Sequence, residues 1–251
     1  MNERQGGTVK TVPYSVLMMG SAIMTSDFTV IFDMDGVLFD SESVYIDGYV
    51  MYASDCPDIR ETALSCIGAN GRRTREIFVE KYGEDFPFDE YYRKVKAYVQ
   101  SHPIPLKKGT VEILKFLSEN NVPLALASST STASVMKMLK EADILKYFDK
   151  VICGDMVSHS KPHPEIFLKA GEELGYAPEN CYVIEDSFNG IRAAYNAGMI
   201  PVMVPDILGP DEEIQEKLSY LFSDLPSAQA FFEGLVCHCE GATRPRQSPC
   251  Q

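Results

Sequence analysis

The stretch TVIFDMDGVLFDSE, residues 29–42, joins an apolar run to two aspartates with one residue between them, followed directly by glycine. The run at 28–32 predicts a buried strand, because it lacks the polar alternation of a half-exposed one. Residues two apart in an extended segment point to the same side, so Asp33 and Asp35 can face one site, and Gly36 lets the chain turn there. Such close carboxylates repel each other unless a cation intervenes, and hard oxygen ligands suit Mg²⁺.

The rest of the chain alternates short apolar runs with helical patterns. Five further strands are predicted, at residues 122–127, 150–153, 181–184, 200–204 and 220–222. Helices are predicted in the gaps, at residues 110–119, 133–141, 164–174 and 187–197. This alternation predicts an α/β fold with a Rossmann-like parallel sheet and helices on both faces.

The segment 41–106 interrupts the alternation, because it holds helical patterns and no convincing strand. These patterns cover residues 43–53, 72–82 and 88–100. We therefore expect a small α-helical cap inserted after the first strand, and a catalytic core formed by residues 27–40 and 107–234. The remaining segments, 1–26 and 235–251, lack a period or are rich in turn formers, and we expect them to be disordered extensions.

The acidic composition argues against nucleic acid as a partner. The 251 residues include 23 Lys and Arg against 36 Asp and Glu, and the formal net charge of −13 would repel a polyanion. No stretch approaches the roughly 18 apolar residues of a membrane span, so no membrane partner is expected.

The cysteines indicate a reducing compartment. Seven are present, an odd number, and they are scattered without the framework of a secreted disulfide protein. Cys237-His238-Cys239 lacks the second well-spaced pair that zinc sites normally recruit. Residues 12–23 faintly resemble a signal peptide, but proline, serine and glycine interrupt them and no cleavage motif follows. We expect a cytoplasmic protein.

Polar residues also follow other predicted strands. In an open parallel sheet, ligands bind beyond the carboxyl ends of the strands. The second strand ends at Ser128-Ser129-Thr130, whose hydroxyl and N–H groups can hold an anion or, equally, cap the next helix. Lys161, in the proline-rich segment HSKPHPEIF, carries one ammonium group, although a single lysine is usually only solvated.

A second acidic pair, Glu185-Asp186, ends the fourth predicted strand. It can complete a cation site, or it can merely stabilise the positive end of the following helix. A calcium loop of the EF-hand type is excluded, because Val37, Leu38 and Val44 occupy the positions where that motif needs an oxygen ligand, glycine and glutamate. Taken alone, the DxDG motif also fits a solvated acidic turn.

Taken together, four motifs resemble the signature of the haloacid dehalogenase superfamily of hydrolases. They are D-x-D-G-V, the strand-terminal serine, K-P-x-P and E-D-S-x-x-G-I, each at a predicted strand end and in this order. The resemblance covers roughly residues 28–232. The position of the insert resembles the helical cap of the branch that includes β-phosphoglucomutase and small sugar-phosphate phosphatases.

The resemblance implies different catalytic roles for Asp33 and Asp35. Asp33 would be the nucleophile that attacks phosphorus and forms an aspartyl-phosphate intermediate. Asp35 would act as general acid and then general base. Asp33, the backbone carbonyl of Asp35 and Asp186 would hold Mg²⁺, with Glu185 as support or a minor ligand.

The remaining roles concern the phosphoryl group and the leaving group. The resemblance implies that Ser128 and Lys161 hold the transferring phosphoryl group, with Ser129 beside them. In the insert, Arg72 and Arg73 follow a glycine-containing loop and either reach the substrate or belong to a solvated face.

We expect a monomeric phosphatase that uses Mg²⁺ to hydrolyse phosphate monoesters of small metabolites such as sugar or polyol phosphates. The alternative is a phosphosugar mutase of the β-phosphoglucomutase type, although Tyr45 stands where those mutases carry histidine. A catalytically silent protein that binds a metabolite or a partner is the third possibility. The intact set of catalytic positions argues against it.

Overall fold

The computed structural model describes residues 26–66, 71–207 and 209–243, with side chains as far as Cys237. The extension predicted for residues 1–26 lies outside the described residues except for Ser26. Within the described part of the chain, no helix is both long enough and apolar enough to cross a membrane.

The core is a parallel sheet of six strands, as predicted. The strands are β1 (Thr29–Phe32), β2 (Leu124–Ser128), β3 (Lys150–Cys153), β4 (Cys181–Glu185), β5 (Ile200–Met203) and β6 (Tyr220–Leu221). Their order across the sheet is β3-β2-β1-β4-β5-β6. Because β1 lies between β2 and β4, the carboxyl end of β1 stands at the point where the strand order reverses, which is where ligands bind in such sheets.

Within its described residues, 41–66 and 71–106, the insert between β1 and β2 contains four helices. They are α1 (Ser41–Tyr52), α2 (Ile59–Leu64), α3 (Gly71–Tyr82) and α4 (Phe88–Ser101). The insert has its own hydrophobic core, in which the fully buried Phe78 contacts the rings of Tyr49, Phe86 and Tyr91. The insert is thus a separately packed helical unit, as the sequence predicts.

Two short segments connect the insert to the sheet and pair with each other. The backbone N–H of Asp40 donates to the carbonyl of Pro105 at 2.9 Å, and that of Lys107 donates to the carbonyl of Leu38 at 2.9 Å. An antiparallel bridge joins Phe39 and Leu106 between these bonds. This pairing anchors the insert beside the carboxyl end of β1.

In the described part of the chain, six helices cover the sheet. They are α5 (Thr110–Glu119), α6 (Thr132–Glu141), α7 (Glu165–Leu174), α8 (Phe188–Asn196), α9 (Glu212–Lys217) and α10 (Leu225–Thr243). Side chains of α5, α6 and α10 pack on the sheet face that carries Val30 and Phe32. Those of α7 and α8 pack on the opposite face with Ile31. Successive β1 side chains point to opposite faces, and both faces are buried, which explains the uninterrupted apolar run.

The carboxyl-terminal boundary differs from the prediction. The tail expected from residue 235 is wrong as far as Thr243, because α10 continues to that residue. The reason is packing: Leu235 and Val236 are partly buried against the core. They continue the helical spacing that begins at Phe231 and Phe232.

Candidate active site

The loop after β1 brings the two acidic pairs together. The N–H of Asp33 donates to the carbonyl of Ile184 at 2.9 Å, which ties the loop to β4. Gly36 has φ of +80°, a left-handed conformation that favours glycine. A Cβ atom at position 36 would also overlap the carboxylate of Asp186. Glycine is therefore needed for the turn and for the approach of Asp186 to this loop.

Lys161 supplies the positive charge at the centre of the site. Its side chain is 7% exposed, and its Nζ donates to Asp33 Oδ1, to Glu185 Oε1 at 2.7 Å and to the carbonyl of Ala127 at 3.1 Å. Burial alone would lower the pKa of Lys161, but the charges of Asp33 and Glu185 outweigh it and raise that pKa. The ammonium group therefore stays charged.

Glu185 is a structural partner with both oxygens engaged. Its Oε2 accepts hydrogen bonds from the N–H of Asp186 at 3.0 Å and from the N–H and hydroxyl of Ser187, each at 2.9 Å. Its Oε1 accepts from Lys161. The carboxylate thus holds the lysine and the start of α8, which agrees with a supporting role.

Three carboxylates converge on one point. Asp33, Glu185 and Asp186 each offer an oxygen, and these oxygens lie within 4.8 Å of one another. Burial raises the pKa of Asp33 to about 7, although the charge of Lys161 opposes this. The pKa of Asp186 is also raised, by burial and by the charges of Glu185 and Asp33. A single ammonium does not balance three carboxylates. The set fits a hard divalent cation, which oxygen ligands prefer.

Asp35 has different surroundings from Asp33. Thr130 Oγ1 donates to Asp35 Oδ2 at 3.1 Å, and the hydroxyl of Ser41 also hydrogen-bonds the carboxylate. Burial raises the pKa of Asp35, although both hydroxyl groups oppose this. The pKa of Asp35 is thus raised, as is that of Asp33, and two hydroxyl groups fix the orientation of the Asp35 carboxyl group.

A cavity of about 660 Å³ opens beside Asp35 between the insert and the core. From the insert side it is lined by Tyr45, Gln100 and His102, and from the core side by residues that include Lys137 of α6. Asp35 lines this cavity, so its carboxyl group is accessible for proton exchange with a group bound beside it.

Ser128 and Ser129 lie at the end of β2, as predicted, and differ in exposure. Ser128 is fully buried, and its Oγ accepts a hydrogen bond from the N–H of Thr130 at 3.1 Å. Its hydroxyl proton is therefore available to another acceptor. Ser129 is exposed, and a Cβ atom at Gly154 would overlap its carbonyl oxygen. The close contact with Gly154 fixes this backbone at the strand end.

The structure does not bring Arg72 and Arg73 to the cavity. Both lie near the start of α3, where Arg72 is 3.8 Å from Glu76 and its side chain is 87% exposed. Arg73 pairs with Glu76 at 3.1 Å and with Glu80 at 3.3 Å. Substrate contact by these arginines stays a prediction, and the described arrangement matches a solvated helix face.

Several site residues were not assigned from the sequence. Ser41 and Thr130 orient Asp35, and the charges of Glu42 and Asp206 raise the pKa of Asp186 further. Ser41 lies in an ordinary helix-start pattern, and Thr130 lies in a serine- and threonine-rich run that also suits a cap. Neither pattern distinguishes a partner of Asp35 from a capping residue.

Comparisons with known proteins identify a matching family model and related sequences. The family model of haloacid dehalogenase-like hydrolases matches residues 30–204. A phosphorylated carbohydrates phosphatase from Thermotoga maritima is 35% identical over 175 residues, which are 68% of this chain and 81% of the relative. A probable pseudouridine-5'-phosphatase from Drosophila melanogaster is 32% identical over 226 residues, which are 85% and 95% of the two chains.

Solved structures share the architecture. A putative β-phosphoglucomutase from Thermotoga maritima aligns with a TM-score of 0.68 and 30% identity, over 82% of this chain and 99% of that one. A hydrolase from Deinococcus radiodurans with bound phosphate and sodium has a TM-score of 0.72 over 83% and 96% of the chains, and its 23% identity supports the fold alone. The chain belongs to the haloacid dehalogenase-like hydrolase family, because the family model matches most of it and its sequence relatives cover more than two thirds of it.

Proposed function

We propose that this protein is a Mg²⁺-dependent phosphatase that hydrolyses phosphate monoesters of small sugars or polyols through an aspartyl-phosphate on Asp33. The observation that carries the proposal is the separation of roles in the DxD loop. Asp33 is paired with Lys161 and lies among carboxylates, whereas Asp35 is held by hydroxyl groups and lines a cavity. The two sequence relatives are both named as phosphatases.

In the first half-reaction, an oxygen of Asp33 attacks phosphorus and forms a bond to it, while the bond from phosphorus to the substrate alcohol breaks. Asp35 gives its proton to the departing oxygen. Its position at the cavity, where Thr130 and Ser41 orient it, suits this transfer. In the second half-reaction, Asp35 takes a proton from water, whose oxygen attacks phosphorus and releases Asp33 and inorganic phosphate.

Charge is balanced by two kinds of group. Asp33, Asp186 and the carbonyl of Asp35 would hold Mg²⁺, which when bound supplies positive charge beside the phosphoryl oxygens and favours the ionised form of Asp33. Lys161 contributes a buried positive charge that persists because its pKa is raised. The free hydroxyl proton of Ser128 can be donated to a phosphoryl oxygen at the end of β2.

The cavity supports a small, hydroxylated leaving group. Tyr45, Gln100 and His102 offer donors and acceptors from the insert, and Lys137 adds a cation from the core. Since the insert forms one wall, a large folded substrate would have to displace it. This favours phosphorylated metabolites over phosphoproteins.

The test is release of inorganic phosphate from p-nitrophenyl phosphate and from a panel of phosphorylated sugars, polyols and nucleosides. We expect turnover with Mg²⁺, none with excess chelator, and a loss of at least about a thousandfold in Asp33→Asn, because the nucleophile is removed. Asp143→Asn is the control, since the side chain of Asp143 is 84% exposed. Metal-independent turnover, or an active Asp33→Asn variant, would contradict the mechanism, and no turnover on any compound would favour the silent metabolite-binding alternative.

A mutase is the second candidate, because one structure with 30% identity is described as a putative β-phosphoglucomutase. The two reactions separate when β-glucose 1-phosphate is supplied with a trace of the 1,6-bisphosphate. A phosphatase releases inorganic phosphate faster than it forms glucose 6-phosphate. The reverse ratio would establish the mutase.

A further inference from the structure

A second cluster of metal-binding side chains lies on the segment that carries Lys161. His159 and His163 stand two residues before and two residues after the lysine, and Glu165 begins α7. One ligand atom from each of the three lies within 4.8 Å of the others. None of the three belongs to the acidic site, whose ligands are Asp33 and its neighbours at the sheet edge.

The distances bring the three ligand atoms close to a common centre. His159 Nδ1–H donates to Glu165 Oε2 at 2.8 Å, a proton that a bound metal ion would replace, and His163 Nδ1 is 3.9 Å from the same oxygen. The two imidazole rings stack with centroids 4.4 Å apart and an interplanar angle of 30°. Ligand atoms about 2.1 Å from one tetrahedral metal ion lie roughly 3.4 Å apart, and the separations of 2.8 Å and 3.9 Å lie on either side of that value.

Backbone hydrogen bonds hold the Glu165 carboxylate in place without a metal ion. Glu165 Oε1 accepts from the N–H of Ser158 at 2.8 Å, and Oε2 accepts from the N–H of His159 at 2.9 Å. The N–H of Glu165 in turn points to His163 Nδ1 at 3.3 Å, an interaction that requires a lone pair on that nitrogen. An unprotonated imidazole nitrogen is the form that binds a metal ion, and a metal bound at this nitrogen would replace its bond from the Glu165 N–H.

The cluster is also accessible. The side chains of His159 and His163 are 64% and 49% exposed, and they border an open cleft of about 580 Å³. An ion can therefore enter, with water filling its remaining positions. Two imidazoles and one carboxylate are a ligand set for Zn²⁺ and related transition metals, whereas Mg²⁺ prefers oxygen ligands alone.

We propose that His159, His163 and Glu165 form a second metal site, specific for a borderline divalent ion such as Zn²⁺, whose occupation restrains the segment holding Lys161. The restraint follows from connectivity. The site closes a loop from residue 159 to residue 165, and Lys161 lies inside that loop. A bound ion removes conformational freedom from the closed segment. The site is defined by its ligands and does not depend on the proposed phosphatase activity.

The test is a calorimetric Zn²⁺ titration of the full chain with Mg²⁺ in excess. The background carries Cys237→Ser and Cys239→Ser, so that the thiols flanking His238 in the sequence contribute nothing to the Zn²⁺ signal. Against this background, His159→Gln and His163→Gln are introduced singly and together. His102→Gln is the matched control, since His102 lies at the cavity and not in the cluster.

We expect one equivalent of Zn²⁺ to bind in the background and in the His102→Gln control. Each single substitution should weaken that binding by about tenfold or more, and the double substitution should abolish it, because direct ligands are lost. Unchanged stoichiometry and affinity in the double variant would overturn the site. Circular dichroism verifies that each variant is folded, which is expected for substitutions at exposed positions.

Hydrogen exchange of the same proteins tests the restraint. Zn²⁺ should slow amide exchange in residues 158–165 of the background and leave the double variant unchanged. Equal exchange with and without bound Zn²⁺ would overturn the claim that the ion restrains the Lys161 segment. Neither measurement uses turnover, so both can be judged even if the proposed phosphatase activity fails.

Discussion

Lys107 and Asp206 form a buried ion pair that ties the base of the insert to the core. Lys107 lies in the segment returning from the insert, and Asp206 follows β5. The Asp206 side chain is 5% exposed, the Lys107 side chain is 25% exposed, and the lysine donates to Asp206 Oδ1. Among the described residues, Asp206 Oδ2 has no hydrogen-bond partner. The lysine is therefore the principal compensation for a buried carboxylate.

Removing the lysine should destabilise the protein more than neutralising the aspartate. Lys107→Met leaves the charge of Asp206 buried and unpaired, and we expect a loss of about 3 kcal/mol in the free energy of unfolding. Asp206→Asn should cost less, because the partly exposed Lys107 can reach solvent. Urea unfolding measures both.

The control for this comparison is Lys146→Met. Lys146 pairs with Asp143 at the surface, where their side chains are 54% and 84% exposed, so the change should stay within about 0.5 kcal/mol. If Lys107→Met were no more harmful than Lys146→Met, the ion pair would not anchor the insert.

The sheet and much of the site were predictable for one physical reason. Strands buried on both faces leave long apolar runs, and the carboxyl ends of parallel strands meet at one edge. Asp33 at the end of β1, Ser128 at the end of β2 and Asp186 after β4 therefore had to lie near each other. All six predicted strands are present, oxygens of Asp33 and Asp186 lie within 4.8 Å of each other, and Lys161 contacts both Asp33 and the carbonyl of Ala127 near the end of β2.

What the sequence did not predict depends on contacts between distant segments or on weak local patterns. Lys107 and Asp206 are 99 residues apart, and no local spacing marks them as partners. The six-residue helix α2 is too short for a periodic signal. In α10, the turn formers after residue 236 predicted a disordered tail, but the helix continues to Thr243 because Leu235 and Val236 pack against the core.

Lys161→Met should impair both catalysis and folding. The variant leaves Asp33 and Glu185 buried without the ammonium group that pairs with both. We expect turnover to fall at least about a hundredfold and the free energy of unfolding without metal to fall by about 3 kcal/mol or more. The measurements are phosphate release and urea unfolding in the presence of a chelator.

Added Mg²⁺ should recover part of the stability lost in Lys161→Met, because it restores positive charge among the carboxylates. The matched control is Lys115→Met, whose side chain is 60% exposed and should tolerate the change. A Lys161→Met variant with the stability of the parent would show that the lysine does not compensate the buried carboxylates.

Mg²⁺ should stabilise the parent protein and lose this effect in Asp186→Asn. Binding to the folded state alone adds about 2.7 kcal/mol at a free Mg²⁺ concentration one hundred times the dissociation constant. Burial and neighbouring carboxylates raise the pKa of Asp186, so its charge opposes folding in the absence of metal. Metal-free Asp186→Asn should therefore be at least as stable as the metal-free parent. Thermal unfolding with Mg²⁺ or with chelator measures both effects. If Mg²⁺ raised the unfolding temperature of the two proteins equally, Asp186 would not be a metal ligand.

Gly190→Ala should disrupt the site through Glu185 while Gly234→Ala should not. Both glycines lie in helices, where alanine is normally favoured by about 1 kcal/mol. A Cβ atom at position 190 would overlap the carboxylate of Glu185, whereas one at position 234 would have no neighbour within 4 Å among the described residues. Displacing Glu185 breaks its bonds to Lys161 and to the start of α8, so Gly190→Ala should lose stability and turnover together. Gly234→Ala should keep its turnover and gain stability. A similar gain in Gly190→Ala would contradict the prediction, because it would show that a Cβ atom at position 190 does not displace Glu185.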